Sequence, residues 1–148
     1  MARSTRPART KGAGIVSLAE VARHWQVSPA TAAEILRLRG VQDTGLRKRP
    51  TFLRKDIWRI EGAPDVPEAL WAEFWEALLT PADLAEIMPD KDPRTIRRDL
   101  ESGRWPVIDF GARTRRVRAR DLVREIEMRS GKRSARKVRS ESAPTTGA

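Results

Sequence analysis

Residues 80–103 read Thr80-Pro81-Ala82-Asp83-Leu84-Ala85-Glu86-Ile87-Met88-Pro89-Asp90-Lys91-Asp92-Pro93-Arg94-Thr95-Ile96-Arg97-Arg98-Asp99-Leu100-Glu101-Ser102-Gly103. Thr80 offers a hydroxyl that can accept from the backbone N–H three residues on, Asp83 can reach back to the Thr80 N–H, and Pro81 suits a first helical position. Leu84, Ile87 and Met88 then recur at helical spacing. After a break at Pro89-Asp90-Lys91, Asp92-Pro93 repeats the cap-and-proline signal, and a second helix ends at Gly103. Two short helices across a tight turn predict a helix-turn-helix. The same plan stands 63 residues earlier, where Ser17-Leu18-Ala19-Glu20-Val21-Ala22 matches residues 80–85. There Leu18, Val21, Ala22 and Trp25 give the apolar spacing, Gln26-Val27 the break, Ser28-Pro29-Ala30-Thr31 the second start and Gly40 the stop.

Beyond each glycine the pattern turns strand-like. Trp105-Pro106-Val107-Ile108-Asp109-Phe110, Gly111-Ala112 and Arg113-Thr114-Arg115-Arg116-Val117-Arg118 alternate about a turn and predict a β-hairpin. The first copy has Val41 to Thr44, Gly45, then Arg47-Lys48-Arg49-Pro50-Thr51-Phe52, with Pro50 confining its second strand to an edge. A closing helix follows in both, with Asp56-Ile57-Trp58 matching Asp121-Leu122-Val123. The expected fold is therefore mainly α with small β-hairpin wings, arranged as two tandem winged helix-turn-helix domains. Trp25, Trp58 and Trp105 are expected as core plugs in units too small to be stable without large aromatics.

The second copy resembles the excisionase-type winged-helix family, related to the DNA-binding heads of MerR-like regulators. The matching residues are Thr80 to Ala85, Thr95 to Gly103, Pro106, Gly111 and Arg115-Arg116-Val117-Arg118-Ala119-Arg120-Asp121-Leu122. The first copy is similar at a greater distance: Gly40 comes one residue late relative to Thr31, and Ala33 and Glu34 stand where the second has Arg97 and Arg98. The resemblance implies binding of duplex DNA, to direct recombination of a phage or mobile element or to regulate transcription. In such a fold the second helix enters the major groove, which implies contacts from Arg94, Thr95, Arg97 and Arg98, with Ile96 and Leu100 turned to the core. Arginine can pair bidentately with guanine O6 and N7. The wing of that copy would add Arg113, Arg115, Arg116 and Arg118, in an acid-free stretch that runs to Arg120. In the first copy Thr31, Ala33, Glu34 and Arg37 would face the groove, and Arg47, Lys48 and Arg49 would form the wing.

Composition bounds the alternatives. The chain has 148 residues, 30 Lys and Arg against 20 Asp and Glu, a net charge of +10, no Cys and one His. Without Cys there is no disulfide and no thiolate metal site. His24, beside Trp25, is expected as a structural or surface residue, and no metal, cofactor or catalytic constellation is expected. Ser130-Gly131-Lys132-Arg133-Ser134 lacks the upstream Gly and the preceding strand of a phosphate loop. No apolar run approaches the ~20 residues of a membrane span, and Met1–Lys11 lacks the apolar core of a secretory signal. The expected setting is cytoplasmic, on the nucleoid, with a polyanion as first partner.

The charge is uneven: +4 over residues 1–13, +5 over 14–60, −5 over 61–78, +1 over 79–128 and +5 over 129–148. With the motifs, this divides the chain into a disordered basic arm (1–13), a first unit (14–62), an acidic helical linker (63–78), a second unit (79–130) and a disordered basic tail (131–148). In the linker, Leu70, Trp71, Phe74, Trp75 and Leu78 share one helical face, opposed by Glu68, Glu73 and Glu76. That face is expected to pack on the second unit or bridge the two. Alternatively Trp71, Phe74, Trp75 and Leu78 serve self-association or a protein partner. Two further functions fit the sequence: a DNA-packaging adaptor resembling phage terminase small subunits, and a protein–protein adaptor on the same fold.

Overall fold

Ser17 and Thr80 both cap helices in the expected way, and the structure grows outward from these two points. In the computed structural model, which describes residues 14–111 and 114–142 with side chains to residue 131, each hydroxyl accepts from the backbone three residues on, and each acid there (Glu20, Asp83) reaches back. Strand β1 (Ile15–Ser17) leads into α1 (Leu18–Trp25), which stops at Gln26 with a left-handed φ of 53°. Ser28 caps α2 (Pro29–Leu38), and Gly40, at φ 71°, lets the chain leave it. Strand β2 (Thr51–Leu53) returns antiparallel beside β1, with Val16 opposite Phe52, and leads into α3 (Arg54–Ile60).

The second copy repeats this arrangement. Leu79 and Val117 exchange backbone hydrogen bonds of 2.7 and 3.0 Å, as Val16 and Phe52 pair in the first. Between them lie α5 (Pro81–Ile87), α6 (Pro93–Glu101, capped by Asp92), β3 (Ile108–Asp109) and β4 (Arg115–Arg116), with Ile108 opposite Arg116. Helix α7 (Ala119–Ser142) closes the chain.

Three expectations are corrected. The first wing is an ordered loop with no ladder of its own. Asp43 Oδ1 accepts from the N–H groups of Gly45 and Thr51 (2.9 and 3.1 Å), one backbone bond links Thr44 to Thr51, and Pro50 has no N–H to add. The acidic linker is no continuous helix either. A 3-10 turn (Glu68–Leu70) and a single turn α4 (Trp71–Phe74) are all that form. The carbonyls of Phe74, Trp75 and Glu76 face side chains instead of a next turn: Trp58 Nε1 and Arg118 Nη1 donate to Phe74, and His24 Nδ1 lies 3.1 and 2.9 Å from the other two. Past them Leu78 N donates to the His24 carbonyl, and the chain is extended by Leu79. Finally, α7 runs through residues 131–142, where a disordered tail is expected. Arg, Lys and Ala there are good helix formers, and the composition that suggested disorder is compatible with helix.

The described chain is mainly helical, and the first of its two cores draws on both copies. The first gathers Val16, Val21, Trp25, Ile35, Leu36, Phe52 and Ile57, and also takes Leu78, Ile108 and Phe110 from the second half. The second holds Leu84, Ile96, Leu100, Trp105, Val117 and Leu122. Trp25, Trp58 and Trp105 are all buried. Among the described residues no helix is long and apolar enough to cross a membrane.

Candidate nucleic-acid interface

Helix α6 is amphipathic because residues three and four apart fall on one side of a helix with ~3.6 residues per turn. Ile96 and Leu100, four residues apart, are buried, while Arg94, Arg97 and Arg98 are exposed and Thr95 is half-buried. Asp92 accepts from Arg94 N at 2.9 Å and fixes where the helix starts. Of the two acids in the helix, Asp99 turns inward and Glu101, its last residue, is exposed. Asp99 is buried, 3.0 Å from Lys91 Nζ and 3.8 Å from Arg104, and the Lys91 ammonium holds its carboxyl below the ordinary value. Among the described residues no carboxylate forms an ion pair with Arg94, Arg97 or Arg98. Three cations thus stand on one solvent face with no carboxylate partner among the described residues. Arg97 also lines a groove with Thr80, Pro81, Glu101, Arg115 and Arg116.

The second wing divides its arginines. Arg113 lies outside the described residues. Arg115 stays half-exposed, its Nε 3.9 Å from Asp109. Arg116 donates Nε to the Trp25 carbonyl and Nη2 to the Gln26 carbonyl, each at 2.9 Å, and Nη1 to its neighbour Arg115. Burial pushes this guanidinium below its ordinary value. Arg118 is 3% exposed. It donates Nη2 to Glu61 Oε1 at 2.7 Å and Nη1 to the Phe74 carbonyl at 3.1 Å. The expectation of a DNA contact from the wing is corrected for the buried Arg118, and Arg116 is spent on the first unit. Arg120 lies over the Phe74 ring, 3.8 Å from Glu73.

The first copy offers less. Glu34 accepts from Arg37 Nε and Nη2 at 3.1 and 2.7 Å, which lowers the carboxyl and raises the guanidinium. Thr31 bonds the Ser28 hydroxyl. Arg47, Lys48 and Arg49 are exposed on the loop that Asp43 holds.

Sequence reasoning missed the group that ties the halves together. The Glu61 carboxylate is buried, with His24 Nε2 at 2.8 Å and Trp25 Nε1 at 2.9 Å on Oε2, and Arg118 on Oε1. Each His24 ring nitrogen therefore faces oxygen acceptors, and the ring stacks on Trp75 at 4.2 Å. His24 is structural, as expected. The linker aromatics are consumed here too: Trp58 meets Trp71, Phe74 and Trp75, Leu78 is fully buried, and Arg54 and Arg118 cover Trp75 and Phe74. The one sequence signal for Arg118 is positional, since the equivalent place in the first copy holds Leu53.

No protein-family model, no curated protein and no solved structure matches the chain.

Proposed function

We propose that both copies are winged helix-turn-helix units and that the protein binds duplex DNA, with α6 as its main reading element. The observation that carries this is the outer face of α6, where Arg94, Arg97 and Arg98 are exposed and, among the described residues, have no ion-pair partner, while Ile96, Asp99 and Leu100 anchor the inner face. Arginines so placed suit guanine edges and backbone phosphates. Arg115 and the loop cations Arg47, Lys48 and Arg49 extend the basic surface, whereas Arg116 and Arg118 hold the fold together. Helix α2 is the weaker reader, because Glu34 occupies Arg37. The biological setting we propose is that of a recombination-directing or transcription-regulating factor.

Fluorescence anisotropy on random duplex DNA tests the reading. Binding is expected to weaken with salt, each phosphate contact adding about −0.9 to the slope of log affinity against log salt. Arg97→Ala with Arg98→Ala is expected to cost more affinity for a selected site than Arg47→Ala with Lys48→Ala, at ~1–3 kcal/mol for each lost base pairing. No retention of duplex at micromolar protein and low salt would end the proposal. Equal losses from the two pairs would assign the reading to the wrong unit.

A further inference from the structure

The two copies are fastened at the place where both reading helices begin or turn outward. Arg116 lines the groove of Arg97 and donates to the last carbonyls of α1, those of Trp25 and Gln26. From the other side the Gln26 amide donates to the Leu78 carbonyl at 2.6 Å and to Asp83 Oδ2 at 2.7 Å, in the first turn of α5. Ser28, two residues beyond Gln26, caps α2. The far end of α2 is held as well, since Arg39 Nη2 donates to the Asp109 carbonyl at 3.1 Å. Beneath these bonds Trp25 lies 4.8 Å from Phe110, and Arg118 is buried against Glu61. The start of α2 thus lies two residues beyond a carbonyl that Arg116 holds, and the same Arg116 lines the groove of Arg97 on α6. No flexible tether separates them.

On the reading of α6 as a DNA reader, we propose that α2 and α6 engage a duplex as one rigid pair. The protein then recognises a single composite site whose two halves have one permitted spacing, and Gln26 and Arg116 are the positioning residues that set it. A tethered pair behaves differently. It tolerates insertion of one whole helical turn between half-sites, because the same groove face returns after ~10.5 base pairs and the tether spans the gap. A rigid pair tolerates neither a half turn nor a whole one.

The test uses the full chain and a duplex that it has itself selected from random sequence, with the two protected halves located by footprinting. Inserting half a turn or a whole turn between them is expected to cost ~100-fold or more in affinity in both cases, the avidity a second engaged site ordinarily adds. Gln26→Ala with Arg116→Met, which leaves the shared core beneath, is expected to lower affinity at the selected spacing and to recover neither insertion; unchanged affinity would take the positioning role from these two residues. Recovery by the unaltered protein at a whole turn overturns the rigid pair, and indifference to both insertions overturns any role of α2. Failure to retain duplex at all overturns the DNA reading itself. Rigidity has a readout that needs no DNA. The chain has no Cys, so Ala30→Cys with Glu86→Cys, both at exposed positions, gives one spin-labelled pair. A narrow distance distribution is expected, broadened by the Gln26→Ala, Arg116→Met pair; a broad distribution in the otherwise unaltered chain overturns the inference even where that variant fails to fold.

Discussion

Arginine content alone does not mark a solvent-facing cation in this protein; what each guanidinium faces does. Arg97 and Arg98 face solvent, whereas Arg118, twenty residues on from Arg98, faces a buried carboxylate. Two opposite charges out of water are held only when each is paired and its remaining donors are satisfied. Arg118 meets that condition through Glu61, the Phe74 carbonyl and the Phe74 ring. Its removal leaves Glu61 with His24 and Trp25 as its polar neighbours. Arg118→Ala is therefore expected to destabilise the protein by ~3–5 kcal/mol in urea denaturation, the usual result of stripping one partner from a buried pair. Arg118→Met with Glu61→Gln removes both charges and is expected to lose less than the single change. A single substitution within ~0.5 kcal/mol of the parent would return Arg118 to the set of solvent-facing arginines. None of this was legible in the sequence, because the partner of Arg118 lies 57 residues away and the local pattern, alternating basic residues on a strand, is that of a wing.

At the scale of elements, the short helices were legible and the linker was not, for one reason. A cap is a local event: Ser17, Ser28, Thr80 and Asp92 each accept from a backbone N–H two or three residues on, and nothing distant decides it. The linker's apolar spacing is equally regular, yet Trp58, Arg118 and His24 compete for the carbonyls a longer helix would have used. The α6 surface follows from the same inward–outward sorting, and its buried acid makes it sensitive to pH. Asp99 titrates below the ordinary carboxyl value of ~3.9 because Lys91 donates to it. A depressed value means the unfolded chain binds the proton more readily. The Asp99 contribution is therefore complete above about pH 5 and is lost as pH falls through the lower folded-state value. Stability measured by urea denaturation is expected to decline between about pH 5 and pH 3, and Asp99→Asn to lower stability at neutral pH while flattening part of that decline. An unchanged slope would show that the Lys91 contact contributes nothing. The remaining slope is shared by Asp43 and Asp83, both lowered chiefly by backbone N–H donors, and by Glu34, lowered by Arg37.

For the whole molecule, the repeat in the sequence suggested two units on a string, and the packing contradicts independence while keeping the repeat. Val16 pairs with Phe52 as Leu79 pairs with Val117, so each copy closes its own strand pair around its own helices. Yet Leu78, Ile108 and Phe110 are buried in the first core, and the cluster around Glu61 draws on α1, the end of α3 and Arg118. Cutting the chain between the copies at residue 79 would strip Ile108 and Phe110 from the first core at ~2 kcal/mol each, uncover the side chains they pack on, Leu78 among that core, and leave Glu61 without its arginine. That sum is comparable with the whole stability of a small domain, ~5–15 kcal/mol. Residues 14–142 are therefore expected to unfold in one transition, with calorimetric and van't Hoff enthalpies equal. A fragment of residues 79–142 alone is expected to show helix by circular dichroism but no cooperative melt, since Phe110 and Ile108 would have nothing to cover them. Two resolved transitions in the parent, or a fragment that melts sharply near the parent's midpoint, would restore two independent units, and the +10 of the chain would then be carried by separately moving bodies. Under a single transition the acidic segment 61–78 is a structural wedge, in which Glu61 holds Arg118 and Glu73 holds Arg120, so that on the proposed function these two are withheld from a duplex that Arg97 and Arg98 would meet.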